Sequence, residues 1–75
     1  MLKEIGKVLR IYREESSLTQ EELAHHLGVK YHGYIGRIER GESAPTLRYI
    51  SKWLKICNKS ESKFLNDVVE QYLPK

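Results

Sequence analysis

The sequence predicts an all-α fold, a compact bundle of five helices around one core. Three observations carry the prediction. Apolar residues recur at helical spacing in every long segment, and strand-like alternation is almost absent. The segments are divided by short polar or glycine-containing breaks, with no repeat, low-complexity tract or linker between them. At 75 residues the chain has room for one domain, and its 40% hydrophobic content suffices for one core.

The first helix places Leu2, Ile5, Leu9 and Tyr12 on one face with Val8 beside them, and Lys3, Lys7, Arg10 and Glu14 opposite. It tails off in Glu15-Ser16-Ser17. The second helix has the clearest start signal. Thr19-Gln20-Glu21-Glu22 fits a capping box, in which the Thr19 hydroxyl accepts from the Glu22 amide and the Glu22 carboxylate reaches back. Leu18 before the cap and Leu23 after it form the matching hydrophobic staple. Leu23, Ala24 and Leu27 then face inward, and Gly28 stops the helix because glycine takes the left-handed conformation without penalty.

A third, short helix holds Ile35 and Ile38, three apart, and closes at Gly41. Gly36 inside it lowers intrinsic propensity by about 1 kcal/mol relative to alanine, so packing must hold this helix. After the polar loop Glu42-Ser43-Ala44-Pro45, Thr46 caps a fourth helix whose expected inward stripe is Leu47, Ile50, Trp53, Leu54 and Cys57. Asn58-Lys59-Ser60 breaks the chain again. A last helix, over about residues 60–73, presents Phe64, Leu65, Val68, Val69 and Tyr72, and Pro74 ends it.

Composition narrows the function classes. The single Cys57 cannot pair within the chain, which points to a reducing, cytoplasmic setting rather than a secreted scaffold. No apolar run approaches the ~18 residues of a membrane span, and MLKEIGKVLR lacks the apolar core of a signal peptide. Thirteen basic against ten acidic residues give a net charge of +3, a lean towards polyanions. No nucleophile, paired acid or phosphate-binding glycine loop stands at usable spacing, so the chain is not expected to be an enzyme or to carry a cofactor. His25 and His26, with Glu21 and Glu22 one turn back, superficially suggest a metal site. They flank the inward Leu23, Ala24 and Leu27, however, and so read as solvated histidines with no metal.

The constellation that carries function lies over about residues 19–41. Two short helices joined by a tight glycine-containing turn make a helix-turn-helix, fixed by Gln20, Ala24, Gly28, Val29, Ile35 and Ile38. Ala24 lets the pair pack closely, while Val29, Ile35 and Ile38 fill the angle between them. With IGKVLRIYREE, LTQEELAHHLGV, YIGRIERGE and PTLRYISKWLKI at near-family spacing, the chain resembles the Cro/C1-type (Xre) family of DNA-binding domains over about residues 5–57. The resemblance implies a lambda-repressor-like fold. It implies that Gln20 contacts a DNA phosphate, that Arg13 and Glu39 form a structural ion pair, and that Arg40 and the loop through Ser43 approach phosphates. It implies a recognition helix from about Lys30 to Arg37, exposing Lys30, Tyr31, His32, Tyr34 and Arg37. In chemical terms, Arg37 can donate two hydrogen bonds to guanine, and Lys30 suits a phosphate. Tyr34 can meet a thymine methyl or a phosphate, His32 can donate or accept, and one of the tyrosines could equally cap the core.

One departure bears on these roles. Ile35 follows Val29 by six positions where the family usually has a step of five, so an extra residue must be absorbed between Lys30 and Tyr34. Gly33 is the permissive position, and the insertion shifts the register of Lys30, Tyr31 and His32.

The expected function is a sequence-specific DNA-binding transcriptional regulator. It is read as a repressor that binds a near-palindromic operator as a homodimer, with Lys7 and Arg10 as further phosphate contacts. Trp53, Phe64, Val68 and Tyr72 are the expected dimer interface, because the last helix carries a wide apolar stripe. The alternative is an antitoxin or accessory module that keeps the fold for binding a protein partner through that stripe.

Overall fold

The computed structural model describes residues 1–31 and 33–73, which form five helices: α1 (Leu2–Glu15), α2 (Gln20–Leu27), α3 (Gly33–Glu39), α4 (Leu47–Ile56) and α5 (Glu61–Tyr72). His32, expected on the recognition helix, and Pro74, expected to end the last one, lie outside the described residues.

Local chemistry sets the helix starts. At α2 the full capping box forms, with Glu22 N donating to Thr19 Oγ1 at 3.0 Å and Thr19 N donating to Glu22 Oε1 at 2.9 Å. Thr46 caps α4 and Ser60 caps α5 by the same hydroxyl-to-amide bond, at 3.1 and 3.0 Å. Four of the helix ends also share one device. Ser17, Gly28, Gly41 and Asn58 each take a positive φ, between 56° and 77°. Each turns the chain so that the next amide reaches back into the helix, as Val29 N does to Ala24 O at 2.9 Å and Glu42 N to Arg37 O at 2.8 Å.

All five helices contribute to one core. Val8, Leu9 and Tyr12 of α1 meet Leu23, Ala24 and Leu27 of α2, Ile35 and Ile38 of α3, Trp53 and Leu54 of α4, Cys57, and Val68 of α5. Burial pushes the Cys57 thiol pKa up, so the thiol stays protonated within the core. Trp53 is fully enclosed, and its indole Nε1 donates to the carbonyl of Leu9 at 3.0 Å, so the one polar atom of the ring is satisfied inside the protein. α5 is tied to α1 differently. The Tyr12 hydroxyl donates to Asp67 and the Tyr12 ring meets Phe64 edge-on at 6.4 Å. Lys59 lies over the same ring while pairing with Glu15 at 2.9 Å.

Two expected apolar stripes are corrected. Leu47, expected to face inward, is 84% exposed: it is the first residue of α4, and the inward face begins one turn later at Ile50. In α5 only Val68 is buried and Phe64 is half-buried, whereas Leu65, Val69 and Tyr72 are exposed. A helix packed against one side of a small bundle turns about a third of its circumference inward, and these five residues span more than that. The expected dimer residues must be re-sorted for the same reason. Trp53 and Val68 are core residues with no surface to offer a partner, and of the four only Tyr72 is well exposed.

Candidate functional site

The site is built on α2 and α3. Ile35 and Ile38 anchor the buried side of α3, which leaves Arg37 on its exposed side. Arg37 makes no ion pair or side-chain hydrogen bond with any described residue, so its guanidinium reaches outward with its donors uncommitted.

The rear of α3 is locked by a buried polar cluster. Arg13 of α1 donates from Nε and Nη2 to the Glu39 carboxylate at 2.6 and 3.1 Å, and from Nη1 to the Leu18 carbonyl at 2.7 Å. The two charged side chains are 10% and 3% exposed. The carboxylate holds the Arg13 proton more tightly than usual, chiefly through this hydrogen bond. Gln20, the first residue of α2, adds Nε2 to Glu39 Oε1 at 3.0 Å. One carboxylate therefore joins α1, α2 and α3, and fixes the pose of the exposed face. The half-buried amide of Gln20 is partly committed to that lock, which leaves the second hydrogen on its Nε2 as the donor for an outside ligand.

The recognition helix is shorter than expected. It begins at Gly33, so Lys30 and Tyr31 lie before it, in the segment that follows Gly28. Both are exposed, and the Tyr31 ring lies close over Gly33. Tyr34, expected to be exposed, is half-buried with its ring edge-on to Tyr49 at 6.0 Å, so it is the tyrosine that caps the core. Beyond the helix Arg40 pairs side-on with Glu42, from Nε at 2.7 Å and Nη2 at 3.3 Å, which raises the arginine's pKa and lowers the glutamate's. Ser43 is half-buried in the loop that follows. On α1 Lys7 is exposed and Arg10 pairs with Glu14 at 3.3 Å. His25 and His26 are exposed on α2, their rings 6.0 Å apart.

Two glycines shape the site: Gly6, which the sequence reading passed over, and Gly36, which it weighed only for its cost to helix propensity. Gly6 is buried where α1 crosses α3, and a Cβ there would strike the carbonyl oxygens of Ile38 and Glu39. The signal was available, since a glycine on the apolar side of an otherwise regular helix marks a close approach. Gly36 is the second, and a Cβ there would meet only the side-chain ends of Arg40 and Gln20.

Comparison with known proteins agrees with this geometry. A family model described as helix-turn-helix matches residues 9–64. No curated protein matches the chain. In structure it is similar to the restriction-modification controller protein C.Esp1396I, at 26% identity over 97% of this chain and 95% of that one, with a TM-score of 0.82. It is similar also to the restriction-modification controller protein C.AhdI from Aeromonas hydrophila, at 30% identity, 84% and 94% coverage and a TM-score of 0.75. The clp gene regulator ClgR from Corynebacterium glutamicum shares the fold, with a TM-score of 0.86 at 22% identity over 97% and 94% of the two chains.

Proposed function

The chain belongs to the helix-turn-helix family, and from that premise we propose that it is a sequence-specific transcriptional regulator that represses from a near-palindromic operator as a homodimer. The observation that carries the reading is the placement of Arg37. It projects, uncommitted, from a short helix whose other side is fixed by Ile35, Ile38 and the Glu39 cluster. An outward arginine on a rigid helix suits bidentate recognition of guanine in the major groove. Lys30 and Tyr31 join it on the proposed DNA face, and Gln20, Arg40, Ser43, Lys7 and Arg10 are the proposed phosphate contacts. His32 belongs to the same proposal on sequence grounds.

The two-fold assembly rests on the apolar surface left on α4 and α5. Leu47, Leu65, Val69 and Tyr72 are exposed there, beside the half-buried Phe64. Two half-sites one turn of duplex apart require the recognition helices of the two copies to stand about 34 Å apart. The same surface supports the second reading, an antitoxin or accessory module that docks a protein partner.

Selection of bound sites from random duplex DNA, run beside a measurement of solution mass, tests the proposal. Enrichment of a two-fold symmetric motif by a species of twice the chain mass is the expected result. Recovery of no motif at all would refute sequence-specific binding.

A further inference from the structure

We propose that Gly36 is a positioning residue, and that its missing side chain lets Arg40 and Gln20 converge as a two-donor clamp on one DNA phosphate. A Cβ at residue 36 would lie 2.9 Å from Arg40 Nη1 and 3.4 Å from both Gln20 Nε2 and Gln20 Oε1. The guanidinium end and the carboxamide therefore meet over the same point on α3, in space that any larger residue would occupy.

The hydrogen bonds already made determine which donors remain. Glu42 takes Arg40 Nε and Nη2, at 2.7 and 3.3 Å, on the side of the guanidinium away from Nη1. Glu39 takes one hydrogen of Gln20 Nε2, at 3.0 Å. Arg40 Nη1 and the second hydrogen of Gln20 Nε2 have no acceptor among the described residues. Two N–H groups, one of them charged, thus converge beside the first turn of α2, which suits a phosphate oxygen. Glu42 and Glu39 orient the donors without using them. A glycine inside a helix is disfavoured relative to alanine, and the convergence of these side chains accounts for its presence here.

The clamp rests on the DNA-binding reading, and its test separates the two. Wild type, Gly36→Ala, Arg40→Ala and the double variant are titrated across salt concentrations with a mixed-sequence duplex of about two helical turns. The thermal midpoint of each is measured as well. The atoms that a new methyl would meet are flexible side-chain ends, so Gly36→Ala should raise the midpoint by about 4 °C through helix propensity. The same variant should weaken duplex binding about 3–10-fold, and its salt slope should fall by about 1, the signature of one lost phosphate contact. In the Arg40→Ala background Gly36→Ala should cost little more.

Wild-type affinity and slope in Gly36→Ala would overturn the clamp, as would a full loss that persists without Arg40. A lowered midpoint would make Gly36 a packing residue and overturn it too. A wild-type chain that shows no salt-dependent duplex binding would sink the DNA reading itself, and the clamp with it.

Discussion

Glu39 is a carboxylate with three donors on its two oxygens, Arg13 Nε and Nη2 and Gln20 Nε2, in a place that is almost dry. Removing it strands a guanidinium away from water and releases the N-terminus of α2 from α3. Glu39→Ala should therefore cost about 3–5 kcal/mol, measured by denaturant unfolding. A loss below about 1 kcal/mol would mean that the pair behaves like an exposed one. At Arg37 the expectation concerns binding: Arg37→Ala should leave stability unchanged, cost about 1–3 kcal/mol of affinity and relax preference at one base pair. A uniform loss across all sequences would assign this arginine to the backbone instead. The resemblance supplied the partners Arg13 and Glu39, but the third member, Gln20, could not be read from the chain. Its link to Glu39 spans nineteen positions, and only the crossing of α2 and α3 brings them together.

Helix ends are the elements that local chemistry specifies most fully. The capping box at Thr19, the caps at Thr46 and Ser60, and the glycine stops at Gly28 and Gly41 depend on residues within a turn of one another. Ser17 uses the same left-handed exit with φ 57° and a Cβ that resists it. Ser17→Gly should then stabilise the fold by about 0.5–1 kcal/mol, visible as a higher thermal midpoint. Joining one helix to another is a separate matter, as the link between α1 and α5 illustrates. The hydrogen bond from Tyr12 holds the Asp67 carboxyl below its usual range, with Lys63 assisting at 3.3 Å. Burial, and then the same bond, push the Tyr12 phenol well above its ordinary value. A depressed carboxylate pKa contributes stability that is present above about pH 4 and is lost as pH falls through the folded value. A raised phenol pKa contributes stability that is complete below about pH 10 and is lost as pH rises beyond it. Tyr12→Phe should lower stability at neutral pH by about 1 kcal/mol and flatten both limbs of the stability profile. An unchanged acid limb would show that Asp67 draws its shift from elsewhere.

Across the whole molecule, one side of α4 and α5 leaves apolar surface uncovered while the opposite side closes the core. If two copies meet there, Leu65→Glu should give a monomer by sedimentation with its helical content intact. Operator binding should then become weaker and depend more steeply on protein concentration. A dimer that survives this substitution would place the interface on another face. Read without a structure, the α5 stripe could not be divided between core and surface. Periodicity shows which residues share a face, but not how much of that face the rest of the chain covers. By itself the sequence determined the five helices, the caps at Thr19 and Thr46, the stops at Gly28 and Gly41, and most of the core. Each of these depends on residues close in the chain or on a repeated spacing along one helix. Only the tertiary structure decided that the recognition helix starts at Gly33, that Tyr34 packs on Tyr49, that Trp53 is sealed inside and Leu47 is not, and that Gly6 and Gly36 are sites of close approach. These outcomes depend on which surfaces meet when distant segments pack, and close packing leaves room for only one arrangement of them.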